Sequence, residues 1–347
     1  MFNMDNNILV YNRYRLEVFI IVLDKYYLED TFGNIHVVIG NRHPICGYLS
    51  YIKYAPSNKK SVWYKNGIYY RRVVKHYFPE EVHKSYIYKI PDPWSDSLVP
   101  FTPKSIISKI YDPINRLHDI INKPRDILEE EVVELAKWIR SQANIPWRCI
   151  GVTGSILPKI HNTLISDIDL IVYGSICGWK VIEAINYEDK VVKKLDSYKL
   201  IEWSNRLSRR YGIPVRHVIA LYRLWRRGVL YTGREFSIAY SSDKPKSFCG
   251  DKWLTIGSGR IKAYVTPSLH SLDYPIESHI EKYSVIEQTV TRNVDISIAL
   301  SYETFFMPAL IEEGWRIIDG IIQYNPYQGI GRIVVGVKER LGYIIKD

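Results

Sequence analysis

Asp167 and Asp169 stand one residue apart at the head of an otherwise apolar run, DIDLIVY. In a β-strand successive side chains point to opposite faces, so the two carboxylates share one face while Ile168 and Leu170 share the other. Such a chain must bury the aliphatic face in a core and leave the acidic face on a surface or in a cleft. Like charges held that close repel unless a cation neutralises them, and Mg²⁺ favours hard carboxylate oxygens with phosphates completing its shell. The pair is therefore a candidate Mg²⁺ or Mn²⁺ site.

A second strand is expected over residues 148–152, running into Thr153-Gly154-Ser155. Glycine lets backbone approach a phosphate closely, and a serine hydroxyl with neighbouring N–H groups can hold phosphate oxygens. A Gly-Ser pair alone is usually a turn, and an Asp-x-Asp alone is often a solvated strand end. Together they say more, because Ser155 precedes Asp167 by twelve residues, room for a short helical connection to an adjacent strand.

The stretch GVTGSILPKIHNTLISDIDLIVYG resembles the Gly-Ser and Asp-x-Asp signature of the DNA polymerase beta superfamily of nucleotidyltransferases. That superfamily includes kanamycin nucleotidyltransferase, CCA-adding enzymes and poly(A) polymerases. More narrowly it looks like predicted archaeal nucleotidyltransferases with GVTGS followed by SDIDLVVYG. The specific match covers residues 150–174, with a looser similarity of layout beyond. The resemblance implies that Gly154 and Ser155 hold the β- and γ-phosphates of an NTP, with ATP the expected nucleotide. It implies that Asp167 and Asp169 bind two Mg²⁺ ions, which promote attack of an acceptor hydroxyl on the α-phosphate and departure of pyrophosphate.

Members with full polymerising activity add a third carboxylate on a later neighbouring strand. The best positional candidate here is Glu235, at the start of a strand expected over residues 235–240, with Asp243 and Asp251 as poorer ones. Eight arginines, at 206, 209, 210, 216, 223, 226, 227 and 234, crowd the segment after the acid pair. Residues 216, 223 and 227 fall near one helical face, so Arg223 and Arg227 are candidate nucleotide contacts; a solvated basic face is the bland alternative. His161 lies in the connection and could touch a phosphate, although a lone histidine is more often structural.

The remainder of the chain frames this segment. Its 347 residues predict two or three domains at roughly 100 to 200 residues each. Residues 1–92 read as an antiparallel β-rich module, with strands over 17–24, 35–39, 47–54 and 63–74. Asn66-Gly67 is a hairpin signal because both turn positions need positive φ. Its strands mix Trp63, Tyr64, Tyr69 and Tyr70 with Lys65, Arg71, Arg72 and Lys75, which could stack bases beside cations, although such aromatics more often fill a sheet face. Four prolines between residues 90 and 103 suggest a boundary. Residues 104–245 are expected to form the nucleotidyltransferase core. Helices are expected over 104–122 (with Pro113 starting, ending or kinking one), 126–142, 191–211 and 214–227. Residues 251–347 read as short strands over 261–265, 294–300, 315–324 and 330–337, a small β-barrel or sandwich. The expected class is α+β: a mixed-sheet core with flanking helices between two β-rich modules.

Forty-seven Lys and Arg against 37 Asp and Glu leave a net charge of +10, which attracts polyanions. RNA or DNA is the expected partner, and a nucleic-acid 3′ end the leading acceptor. Modification of a protein or small molecule is a second reading, and a nucleotide- or RNA-binding protein with an inactive site is a third. Cys46, Cys149, Cys177 and Cys249 show no zinc or disulfide spacing, so reduced thiols are expected. The early apolar run 18–23 is too short to cross a bilayer, and no signal-peptide pattern precedes it, so no membrane partner and a cytoplasmic location are expected.

Overall fold

The computed structural model describes residues 7–12, 15–74, 79–84, 86 and 88–347. The architecture is α+β, and the strands of the described residues form four sheets. Asn7–Asn12 (β1) and Arg15–Ile20 (β2) make an antiparallel pair. Eight strands follow in one sheet: Tyr27–Asp30 (β3), Ile35–Val38 (β4), Gly47–Ser57 (β5), Trp63–Lys65 (β6), Ile68–Arg72 (β7), Lys89–Asp92 (β8), Ser97–Pro103 (β9) and Ile107–Tyr111 (β10). Their order is β10-β3-β4-β5-β7-β6, with β9 also on β5 and β8 on β9. The hairpin between β6 and β7 turns at Asn66 and Gly67, with φ of 50° and 84°, as their pairing in sequence predicts. Between β7 and β8, Pro79–Lys84 (α1) is a single short helix.

The proline-bearing stretch is a strand hairpin, β8 and β9, that extends the N-terminal sheet. Pro91 lies in edge strand β8, where a missing N–H need cost no ladder bond, while Pro100 and Pro103 lie in β9, which pairs with β8 and with β5. Residues 107–111 are likewise strand β10 on β3, not the start of a helix. The helix begins only at Pro113–Asn122 (α2), where the Asp112 carboxylate accepts from the backbone N–H of Ile114 and Asn115 and Pro113 takes the first turn.

The central unit carries Ile127–Ala143 (α3), capped by Asp126, and a five-stranded mixed sheet. The sheet holds Ile150–Val152 (β11), Ile168–Tyr173 (β12), Val192–Lys193 (β13), Arg227–Leu230 (β14) and Glu235–Ser241 (β15), in the order β11-β12-β15-β14-β13. Strands β12 and β15 run parallel, and the other pairs antiparallel. Ser175–Ala184 (α4), Ser197–Tyr211 (α5) and Val215–Ile219 (α6) complete it. The expected helix over 191–211 thus starts late, because β-branched Val192 pairs in β13 and Asp196 caps α5 at the Lys199 N–H. The expected helix over 214–227 stops after α6. Buried Leu221, Leu224 and Trp225 then lie in tight turns, and the Tyr222 hydroxyl bridges the Leu195 N–H and the Arg227 carbonyl. Arg216, Arg223 and Arg227 therefore do not share a helix face.

The structure also corrects the reading of the thiols: Cys149 and Cys177 form a disulfide, their Cα atoms 6.3 Å apart. Helix α4 folds back beside the start of β11, a nonlocal approach that spacing rules cannot register.

The C-terminal region closes a five-stranded barrel from Leu254–Thr266 (β16), Ile276–Val290 (β17), Ile296–Ser301 (β18), Gly314–Tyr324 (β19) and Gly331–Val335 (β20). The β16–β19 pairing shuts the ring and removes its edges, and Tyr343–Lys346 (β21) adds to β19. Met307–Ile311 (α7) is buried along its whole length. One apolar core runs from α2 and α3 through the central sheet into the barrel, while Leu157 and Ile160 of the central unit pack into the core of the N-terminal sheet. Arg332 of β20 lies between the rings of Trp94 and Trp253, 4.1 and 4.0 Å from their centroids, tying the β8–β9 hairpin to the barrel. Among the described residues no helix is long and apolar enough to cross a membrane.

Candidate active site

Strand β12 presents the acid pair as its alternation demands: Ile168 and Leu170 are fully buried, and Asp167 and Asp169 line a cavity of about 1100 Å³. The cavity lies where the N-terminal sheet, the central unit and the barrel meet. The end of β11 is fixed against β12 by the Thr153 N–H, which donates to the Asp169 carbonyl at 2.8 Å. The chain then turns at Gly154 with φ of +66°, and a β-carbon there would overlap the Asp169 carboxylate at Oδ2. No other residue allows the turn to sit this close to the acid. From the other side the Ser237 hydroxyl of β15 donates to Asp169 Oδ1 at 2.5 Å. Asp169 is therefore oriented from both flanks.

The two carboxylates repel. The Asp169 charge, and then desolvation, push the Asp167 carboxyl up to about 6 from its usual 3.8; Arg227 and Lys53 offset part of this. A divalent cation would relieve that repulsion, and two carboxylates with nucleotide phosphates suit Mg²⁺, which rarely occupies an all-protein cage. The donor set fits the expected ion.

Each remaining candidate has a definite place. Ser155 is buried, with its hydroxyl 3.3 Å from that of Ser166; Thr153 and Gly154 reach the cavity wall, and Ser155 does not. The connection from Ser155 to Asp167 is a series of turns, not a helix. Glu235 starts β15 on the same face as Ser237, outside the cavity wall, and pairs with Arg227 at 3.3 Å and Lys199 at 3.2 Å. The position level with Asp169 in the parallel pairing belongs to Ser237, between buried Phe236 and Ile238. Asp243 abuts Gly174, at the far end of β12 from the pair, and Asp251 lines another part of the cavity. Arg223 and Arg227 both reach the wall, but Arg223 makes a two-point pair with Glu312 at 2.6 and 2.7 Å.

His161 holds Asp126 at 3.0 Å, away from the cavity wall. Asp126, Glu129 and His161 cluster closely enough to hold a metal. They are already engaged, since Glu129 pairs with Arg116 and accepts from the Arg125 N–H at 2.9 Å while Asp126 caps α3. Arg234 grips Glu131 at 2.7 Å and the carbonyls of Ser166 and Thr163 at 3.0 and 2.9 Å, fixing the loop that delivers Asp167.

Sequence reasoning missed Trp203, which with Arg206, Leu207 and Arg210 forms one face of α5 on the cavity, and it missed Lys53 of the N-terminal sheet and Lys25 of the turn that leads into β3. Helical spacing could have grouped the first set; nothing local links the second to Asp167. Of the aromatic and basic residues in β6 and β7, Arg72 reaches the cavity, held 4.9 Å over the Trp63 ring. Tyr70 is core, Tyr64 and Tyr69 face each other, and Lys65 donates to the Tyr111 hydroxyl, so most of that set fills the sheet. Lys75 lies outside the described residues. No family model, curated protein or solved structure matches the chain.

Proposed function

We propose that this chain is a metal-dependent nucleotidyltransferase that moves a nucleoside monophosphate from an NTP, ATP first among candidates, to an acceptor hydroxyl. The α-phosphorus bond to the acceptor oxygen forms, the bond to the bridging oxygen of the β-phosphate breaks, pyrophosphate leaves, and the hydroxyl proton passes to solvent or a carboxylate. The observation that supports this reading is that the Gly154 turn lies so close to the Asp169 carboxylate that a β-carbon there would overlap Oδ2, so a candidate phosphate-binding turn sits beside a candidate metal pair. When bound, Mg²⁺ or Mn²⁺ supplies charge neutralisation on the phosphates and acidifies the acceptor hydroxyl.

The chain's own residues supply position and charge. The Gly154 turn offers backbone N–H groups to phosphate oxygens, and Ser237 holds Asp169 in one orientation before any ligand arrives. Twelve Lys and Arg side chains line the cavity against seven carboxylates, a balance that favours polyanions. A nucleic-acid 3′ end is the acceptor this charge favours.

Incubation with α-labelled NTP, Mg²⁺ or Mn²⁺, and separate RNA, DNA and protein pools tests the reading. Label transfer is expected, and Asp167→Ala or Asp169→Ala each abolishes it. Undiminished label in the double variant overturns the metal site. One observation favours a second reading, a nucleotide or nucleic-acid binder without transfer: a serine occupies the place level with Asp169, where a third carboxylate would stand. Nucleotide binding with no transfer to any pool selects it.

A further inference from the structure

Seven of the cavity's cations come from two separate parts of the fold. Arg206, Arg210, Arg223 and Arg227 belong to α5 and the segment behind it, on the central unit that carries Asp167 and Asp169. Lys53 and Arg72 belong to β5 and β7 of the N-terminal sheet, and Lys25 to the turn that leads into β3. Lys53 is only 8% exposed; its ammonium donates to the Tyr27 hydroxyl at 2.9 Å and lies over the Tyr27 and Tyr54 rings. Burying an ammonium is costly; aromatic faces offset part of that cost, and an arriving anion would offset more. Arg72, anchored over Trp63, presents the planar fork that suits phosphate. The turn that leads into β3 also touches the Gly154 turn, since the Lys25 carbonyl accepts from the Thr153 hydroxyl at 3.3 Å.

We propose that the N-terminal sheet is a second anion subsite, built on Lys53 and Arg72, that holds the sugar-phosphate backbone of a single-stranded nucleic-acid acceptor while its terminal hydroxyl meets the acid pair. The inference rests on the nucleotidyl-transfer reading for the role of that strand, though not for its binding. Two considerations support it. A cavity of about 1100 Å³ exceeds the roughly 300–1,000 Å³ of ordinary small-ligand sites, leaving room beside a nucleotide. A metal-bound triphosphate also arrives with its own cations, so it does not require the N-terminal set as well.

The test uses full-length protein and fluorescent single-stranded RNA or DNA of about ten nucleotides, a length in the range such grooves accept. Oligonucleotide binding is followed by anisotropy without NTP or metal, and a fluorescent ATP analogue with Mg²⁺ is titrated separately. Arg72→Gln and Lys53→Gln are expected to weaken the oligonucleotide about tenfold each, the scale of one charged hydrogen bond. The salt slope should fall by about 0.7 for each phosphate that a variant no longer neutralises. Affinity of Arg72→Gln for the ATP analogue should stay within about twofold, whereas Arg206→Gln should weaken it. Arg72 is exposed, so its variant reports even where Lys53→Gln fails to fold.

Unchanged oligonucleotide affinity in Arg72→Gln overturns the subsite, as does an equal loss of both ligands. The RNA and DNA arms show which strand is taken. If oligonucleotide binding responds as expected but no label is ever transferred, the transfer reading fails and the subsite stands. If label moves only to protein and strand binding ignores these substitutions, the subsite fails and the transfer reading stands.

Discussion

The repulsion between Asp167 and Asp169 sets a measurable opposition between stability and the proposed chemistry. Folding raises the Asp167 carboxyl from 3.8 to about 6, so the folded state binds that proton more tightly than the unfolded state. The stability linked to it is fully present below about 3.8 and is lost as pH rises through about 6. At full strength the displacement converts to about 3 kcal/mol, but Asp167 is exposed to the cavity, and solvent screening reduces this to about 1 kcal/mol. Asp167→Asn keeps the shape and removes the charge. In EDTA at pH 8 it should therefore raise the melting temperature by about 1–2 °C, given the size of the chain. At pH 4, where the wild-type carboxyl is largely protonated, the gain should nearly vanish. Mg²⁺ should raise the melting temperature of the wild type and leave the variant unmoved. A variant that melts lower than wild type at pH 8, or gains equally at both pH values, refutes the argument that the pair is held together against its own charge.

Three other substitutions probe the same frame. Gly154→Ala imposes about 1–2 kcal/mol of left-handed backbone strain and drives its methyl into Asp169, so it should lower the denaturation midpoint and abolish label transfer; full activity would contradict the contact. Ser237→Asp places a third carboxylate level with Asp169, so calorimetry should show tighter Mn²⁺ binding and melting in EDTA should show a less stable protein; unaltered Mn²⁺ affinity would mean that this position does not face the ion. Arg234→Ala strands buried Glu131 and frees the Thr163 and Ser166 carbonyls, a loss of about 3–5 kcal/mol readable by urea unfolding; Arg234→Lys should recover only part, because one ammonium cannot reproduce the fork.

Local chemistry was legible in the sequence wherever one segment carried the whole signal. The alternation around Asp167 and Asp169, the Asn66-Gly67 turn and the helix expected over 126–142 each appear as read, since each depends on residues within a few positions. Asp112-Pro113 was an equally local start signal, but Ile107, Ile110 and Ile114 happen to fall at helical intervals across the junction of β10 and α2 and masked it. Pairings between distant segments were not legible. The Cys149–Cys177 disulfide depends on how α4 folds back, and Lys53 nears Asp167 only because the N-terminal sheet packs on the central unit. The register of β15 on β12 lies in the same category: the sequence drew attention to Glu235, whereas the pairing sets Ser237 beside Asp169, two residues further on.

That two-residue difference bears directly on what the site can do. Glu235 is engaged by Arg227 and Lys199, so recruiting it toward the acid pair would mean breaking two ion pairs. Ser237 needs no such rearrangement, because its hydroxyl already donates to Asp169 Oδ1 while Gly154 closes over Oδ2. A carboxylate hemmed in at both oxygens is preorganised. With two protein carboxylates, the ion's remaining positions fall to phosphate oxygens and water. On the proposed reading nucleotide and metal therefore complete each other's site, and by linkage each must raise the affinity of the other by the same factor.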